Sequence, residues 1–128
     1  MAEMNVELVA VDREVWSGQA SSVIVRTVEG DIGVLPGHAP LLAQLKEGFS
    51  ARIILVGGDE IAVALHGGFL SVTKDRVSIL AEDAQLASEI DVAQAQSDYA
   101  EAQRRAEGLE SADMLRARAQ LLAAGHTV

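Results

Sequence analysis

The sequence predicts an antiparallel β-sandwich or flattened barrel followed by a C-terminal helical hairpin. Three observations carry this. Up to about residue 85, short β-branched and apolar runs are separated by turn residues at every junction, and no helical stretch interrupts them. Beyond that point Gly is almost absent, Pro is absent, and Ala, Glu, Gln and Arg, all strong helix formers, dominate. The chain has 128 residues, 49% of them hydrophobic but only 3% aromatic, so it is long enough for one domain and must build its core mainly from Val, Leu, Ile and Ala.

The strands are read in order. Asn5–Val11 is apolar and β-branched and breaks at Asp12-Arg13. Val15–Ser17 ends at Gly18, and Ser21–Val28 stops at Glu29-Gly30. Ile32–Leu35 and Leu41–Leu45 flank the stretch Gly30–Leu42, GDIGVLPGHAPLL, which holds both prolines of the chain. Pro36-Gly37 is a turn dipeptide, and Pro40 donates no hydrogen bond and cannot lie in a central strand. This corner presents Asp31 and His38 outward, either as a structural turn or as a binding loop on a rigid scaffold. Phe49–Val56 and Glu60–Leu65 are joined by Gly57-Gly58-Asp59. Gly67-Gly68 precedes Phe69–Thr73, and Lys74-Asp75 turns the chain into Arg76–Ala81.

Two helices complete the chain, so the domains are 1–86 and 87–128. Ser88, with Asp91 three residues on, resembles a capping box in which Asp replaces the usual Glu or Gln. Val92, Ala95, Tyr99, Ala102, Ala106 and Leu109 recur at helical spacing, and Gly108 breaks the pattern. Ser111 caps a second helix that runs to about Ala124 and stops at Gly125, with an apolar face of Met114, Leu115, Ala117, Leu121 and Leu122. An Ala-rich seam buries little area, so the hairpin is expected to be the least stable part and able to detach.

Composition narrows the function. The net charge of −9 argues against nucleic acid and against an anionic membrane surface, and it suits a basic protein partner. No Cys is present, which removes disulfides and thiolate metal sites. No apolar run approaches the roughly eighteen residues of a membrane span, and the acidic N-terminus is neither a signal nor a transit peptide, so a soluble, cytosol-facing chain is expected. His38, His66 and His126 lack metal-ligand spacing, no G-x-S-x-G occurs, and Gly57-Gly58 and Gly67-Gly68 are not phosphate loops. No catalytic residue, metal ligand or cofactor site is expected.

Several segments resemble one family. Val9-Ala10-Val11-Asp12-Arg13-Glu14 and Val15-Trp16-Ser17-Gly18 are similar to its opening, where an aromatic commonly precedes Ser-Gly. Gly30-Asp31-Ile32-Gly33-Val34-Leu35-Pro36-Gly37-His38-Ala39-Pro40-Leu41 matches its pattern G-[DE]-[ILF]-G-[IV]-x-P-G-H-A-P-L. Gly67-Gly68-Phe69-Leu70-Ser71-Val72 resembles its second signature, x-G-G-x-L-x-V, and Val77–Glu82 and Ile90-Asp91 resemble its sandwich end and helix start. The family is the epsilon subunit of the bacterial F-type ATP synthase.

The resemblance implies a β-sandwich of about ten antiparallel strands followed by two antiparallel helices. It implies a non-catalytic central-stalk subunit that binds the gamma subunit, docks on the ring of c subunits, and couples rotation to ATP synthesis. The place implied is peripheral, on the cytoplasmic face of the plasma membrane, without direct membrane insertion. Glu29, Asp31 and His38 would face the c ring and the foot of gamma. The helices would extend into the alpha and beta subunits of the head and restrain hydrolysis, with Arg104, Arg105, Arg116 and Arg118 as candidates for holding that state. Some members bind ATP through I/L-D-x-x-R-A. Here Ile90, Asp91 and Ala95 match, but Gln94 stands in place of the arginine and removes a charged fork of donors, which argues against ATP as a regulatory ligand. Two other classes are a ligand-binding β-sandwich, for which exposed aromatics are few, and a small hydrolase.

Overall fold

The computed structural model describes residues 3–74, 76–106 and 111–126. Asp75 of the expected turn, the Gly108 break and Leu109 of the expected stripe lie outside them. Among the described residues nine strands precede two helices: β1 Met4–Ala10, β2 Glu14–Thr27, β3 Gly30–Val34, β4 Leu41–Gln44, β5 Ser50–Leu55, β6 Glu60–His66, β7 Phe69–Val72, β8 Arg76–Ala81, β9 Asp83–Leu86, α1 Val92–Ala106 and α2 Ala112–Ala123. The strands pair in the order β4-β7-β8-β1-β2-β5-β6-β9, with β3 also on β2. A bridge between Thr27 and Leu45 brings the β4 end back to β2, so the sheet folds over on itself.

Three features depart from the strand-by-strand reading. Gly18 does not end a strand, because β2 runs through it for 14 residues. A Cβ at Gly18 would stand 2.8 Å from Cζ2 of Trp16, so this glycine makes room for a ring two residues back on the same face. The N-terminal half of β2 pairs with β1, and the C-terminal half with β3 and β5, which lets one long strand tie the sheet together. Second, β1 and β8 pair in parallel, from Asn5↔Arg76 to Ala10↔Ala81. Tight turns force antiparallel pairing only on sequence neighbours, and these two strands are far apart in the chain. Third, β9 extends the edge of β6. Its sequence, DAQL, buries only Ala84 and so carries almost no apolar pattern.

The core is aliphatic, as the composition requires. Leu8, Ile53, Leu70, Ile79 and six valines are almost completely enclosed, while Trp16 packs on them half-buried. Thr27, the buried polar residue, is satisfied locally: its Oγ1 donates to the Gly30 carbonyl at 2.8 Å and accepts from the Glu29 N–H at 3.2 Å, closing the β2–β3 turn.

The helix ends are set by side chains. Ser111 caps α2 by accepting from the Met114 N–H at 3.2 Å, and Gly125 follows at a φ of +89°. Asp91 is the N-cap of α1 rather than the third residue of a box begun by Ser88, since its Oδ1 accepts from the Gln94 N–H at 3.1 Å. Ser88 lies instead in a short 3-10 turn, Ala87–Glu89, pinned to the sandwich by Glu89, which accepts from the Leu86 N–H at 3.0 Å and from Arg13 at 3.2 Å. α1 packs along α2, and Ala95 and Ala102 of α1 and Met114, Ala117 and Leu121 of α2 are buried, as a mostly Ala seam requires. On its other side α2 lies on β6, where Ala119 and Ala123 touch Ala64 with Ala62 and Ile90 alongside, a cluster separate from the sandwich core.

Candidate functional site

The hairpin covers the β5–β6 layer and leaves the outer face of β4, β7, β8 and β1 open. Strand register arranges that face in rows. One row runs Gln44, Phe69, Leu80, Val9, and the next runs Leu42, Ser71, Ser78, Glu7, Ser17. Alternation puts Leu70, Ile79 and Leu8 into the core, so Phe69 and Leu80 point out, each nearly half exposed, with Leu42 and Val11 more so. A groove of about 570 Å³ runs beside the row, with Val9, Val11, Gln44 and Glu82 among its walls. The polar row is quiet: the Ser78 hydroxyl donates to Glu7 at 2.7 Å, and Arg76 reaches the same carboxylate at 3.4 Å. An exposed apolar row of this kind, beside small polar side chains, has the character of a surface that a partner covers.

Gly68 shapes this face. It adopts a φ of +112°, and a Cβ there would sit 2.0 Å from the Leu80 carbonyl oxygen. Only a glycine lets the chain re-enter the sheet so close to β8, and this sets Phe69 opposite Leu80.

The three residues expected to meet the c ring lie on two turns at opposite ends of β3, with Glu29 and Asp31 at the β2–β3 turn and His38 beyond Val34. Glu29 is exposed in the β2–β3 turn. Asp31 is exposed too, but it is not simply an outward acid: it is paired across the hairpin with Arg26, whose Nε and Nη2 donate to its two oxygens at 2.6 and 3.2 Å. That hydrogen-bonded guanidinium holds the Asp31 carboxyl below the usual carboxylate range. His38 ends the Leu35-Pro36-Gly37-His38 turn, which its N–H closes on the Leu35 carbonyl at 3.0 Å, and its Nδ1 lies 2.6 Å from the Ala39 carbonyl, so that nitrogen carries the proton. Among the described residues no hydrogen bond or ion pair joins His38 to Glu29 or Asp31.

The four arginines of the hairpin do not form one patch. Arg105 pairs with Glu101 and Asp113 at 3.9 and 3.6 Å, and Arg104 is exposed at the end of α1. Arg116 reaches Asp83 of β9 at 3.6 Å. Arg118 donates Nε–H to the Gly48 carbonyl at 3.0 Å and lies 4.5 Å from the centre of the Phe49 ring. With Gln120 donating to Gln85 at 2.8 Å, these contacts hold α2 down on the sandwich. Gly48 and Phe49, which seat the helix, were not singled out by sequence reasoning. Phe49 read as the start of a strand, and a glycine seat has no local signature.

The residues matching the ATP pattern are occupied structurally. Ile90 packs beside Ala64, Asp91 caps α1, Ala95 is buried in the seam, and the Gln94 amide donates to Asp98 at 2.8 Å. The nearest cleft between the helices, about 290 Å³, is lined by Asp98, Glu101 and Asp113 as well as by Arg105 and Arg116, and three carboxylates oppose a polyphosphate.

What these parts define is a docking domain: a stiff sandwich with one open apolar face and a lightly seated helical hairpin on the other. The family model "ATP synthase, Delta/Epsilon chain, beta-sandwich domain" matches residues 3–87. The chain belongs to that ATP synthase delta/epsilon family. It is 56% identical over 101 residues to the ATP synthase epsilon chain of Rhodococcus opacus, covering 79% of this chain and 83% of that one. It is 54% identical over 91 residues to that of Mycobacterium avium, covering 71% and 75%. The fold is shared with a chain in the cryo-EM structure of the Euglena gracilis mitochondrial ATP synthase, at a TM-score of 0.75 and 24% identity, over 94% of this chain and 76% of that one.

Proposed function

We propose that this chain works in the central stalk of a bacterial ATP synthase as the coupling epsilon subunit, with the gamma subunit covering the Phe69–Leu80 row. The observation that carries the reading is that row itself: large apolar side chains left open on the face opposite the hairpin, in a chain whose relatives are epsilon chains. The turns carrying Glu29, Asp31 and His38 meet the ring of c subunits, and an acidic chain of net charge −9 suits basic loops there. The chain is held peripherally at the cytoplasmic face of the plasma membrane by these partners, and no helix among its described residues is long and apolar enough to cross a membrane. The hairpin, seated largely by alanines, leaves the sandwich to reach the alpha and beta subunits and restrain hydrolysis, and Arg104, Arg105, Arg116 and Arg118 then exchange their present partners for acids of the head.

Co-purification with a gamma subunit tests this. The wild-type chain should elute with gamma in one-to-one ratio, and a Phe69→Glu, Leu80→Glu double variant should fold normally but lose tenfold or more in affinity. Equal binding by the two forms would remove the row from the interface, and no binding by either would remove the reading.

A further inference from the structure

We propose that the Asp31–Arg26 ion pair on the β2–β3 hairpin governs how firmly α2 is held to the sandwich, acting through the ring of Phe49. Two guanidiniums address that one ring. Arg26 of β2 lies 4.3 Å from its centre and Arg118 of α2 lies 4.5 Å from it. The Lys46 ammonium stands 6.0 Å from the same centre. Each cation is attracted by the face of the ring, but the cations repel one another, and the two guanidiniums are at most about 9 Å apart, close to one Debye length at physiological salt (~8 Å) and inside it at lower salt. Asp31 binds Arg26 through both oxygens. It thereby fixes the pose of that guanidinium and supplies a negative charge to the group of three cations.

The other end of the relay is the seat of α2. Arg118 also donates to the Gly48 carbonyl at 3.0 Å. Gly48 has a φ of +86°, and a Cβ there would meet Nη2 of Arg118 at 2.6 Å and Cδ2 of Leu115 at 2.7 Å. The helix therefore rests on bare backbone beside the ring, and its grip depends on Arg118 staying where Phe49 and Gly48 place it. Removing the Asp31 charge leaves Arg26, Lys46 and Arg118 around one ring with less compensation, and Arg118 is the one whose departure relieves it. A partner cation that takes Asp31 from Arg26 acts in the same direction, so docking at the β2–β3 turn loosens a helix on another element. That last link rests on the docking reading above, whereas the coupling within the chain does not.

The chain contains no cysteine, so Ala123→Cys, at a position 4% exposed under α2, gives a single thiol whose labelling rate reports helix opening. Circular dichroism confirms that each variant keeps its fold. Asp31→Asn should raise the labelling rate about two- to four-fold, the size of a screened unit charge at this range. In a Phe49→Leu background the same substitution should change it by less than about 1.5-fold, because the relay is gone. Gln120→Ala, which removes the bond to Gln85, should raise the rate by a factor that simply multiplies with that of Asp31→Asn. An unchanged rate in Asp31→Asn, or an equal rise with and without the ring, would overturn the proposal. Adding the purified gamma–c-ring complex to the Ala123→Cys chain should also raise the rate. Failure there, with the internal coupling intact, would reject the docking site at the turn and leave the relay standing.

Discussion

Cutting the chain after Ile90 removes both helices while keeping every described strand and the Arg13–Glu89 pair that ties down the 3-10 turn. The loss can be worked from the contacts. The hydrogen bonds Arg118–Gly48 and Gln120–Gln85, at 3.0 and 2.8 Å and partly buried, contribute about 0.5–1.5 kcal/mol each. Arg118 over Phe49 adds about 0.5–1 kcal/mol. Arg116–Asp83, at 3.6 Å with both side chains about half exposed, adds a few tenths at most. Burying the methyls of Ala64, Ala119 and Ala123 adds roughly 2 kcal/mol. Ordering the long Arg116, Arg118 and Gln120 side chains costs about 1–2 kcal/mol each and offsets most of this total. The two sides nearly cancel and leave a net of about 1 kcal/mol or less, against a sandwich core that shares no residue with the hairpin cluster. For a domain of this size that is a fall of at most roughly 8 °C in Tm, with unfolding still cooperative. Thermal unfolding by circular dichroism and calorimetry would measure it. A molten truncated chain, or a fall beyond about 25 °C, would refute the separation of the two cores.

Four further outcomes are expected. Gly68→Ala should cost about 3 kcal/mol or more in urea denaturation, because the new methyl meets the Leu80 backbone at a φ of +112°, while Gly37→Ala, with nothing near its Cβ, should cost less. Glu89 is held below the usual carboxylate range by its hydrogen bond from Arg13 and then by the Leu86 N–H, so the folded chain takes up this proton only at a lower pH than the unfolded chain; its stabilisation is complete above the ordinary value of 4.5 and fades as pH falls through the folded value. Glu89→Gln should therefore flatten the acid limb of stability against pH, and an unaltered limb would contradict the pairing. Calorimetric titration with ATP should show no micromolar binding by the isolated chain, and Gln94→Arg should strengthen whatever is found. In assembled enzyme, truncation after Ile90 should raise ATP hydrolysis, and an identical rate would remove the inhibitory role of the hairpin.

Much of the fold could be read from residues whose signals are local. The Pro36-Gly37 turn, the Ser111 cap, the Gly125 stop and the aliphatic core each follow from a few neighbouring side chains. Most of the features that escaped depend on distant partners. The parallel β1–β8 pair joins strands some 70 residues apart in the chain, whereas Gly18 reads as a break for a local reason, because its signal as a glycine masks the Trp16 ring that lies over it. The pairing of Asp31 was within reach, since a turn at Val28-Glu29 sets Arg26 opposite Asp31 in a hairpin. The seat of α2 was not, because Gly48 and Phe49 gain their role only when a helix some 70 residues later returns to them.

The most direct test uses inverted membrane vesicles carrying an ATP synthase from which the epsilon chain has been stripped. Wild-type chain should restore ATP-driven proton pumping, and the Phe69→Glu, Leu80→Glu variant should fail to do so at matched concentration. Pumping that recovers equally with both, or with neither although the wild-type chain is bound, would contradict the assignment of this chain as the coupling subunit that grips its partner through the open sheet face.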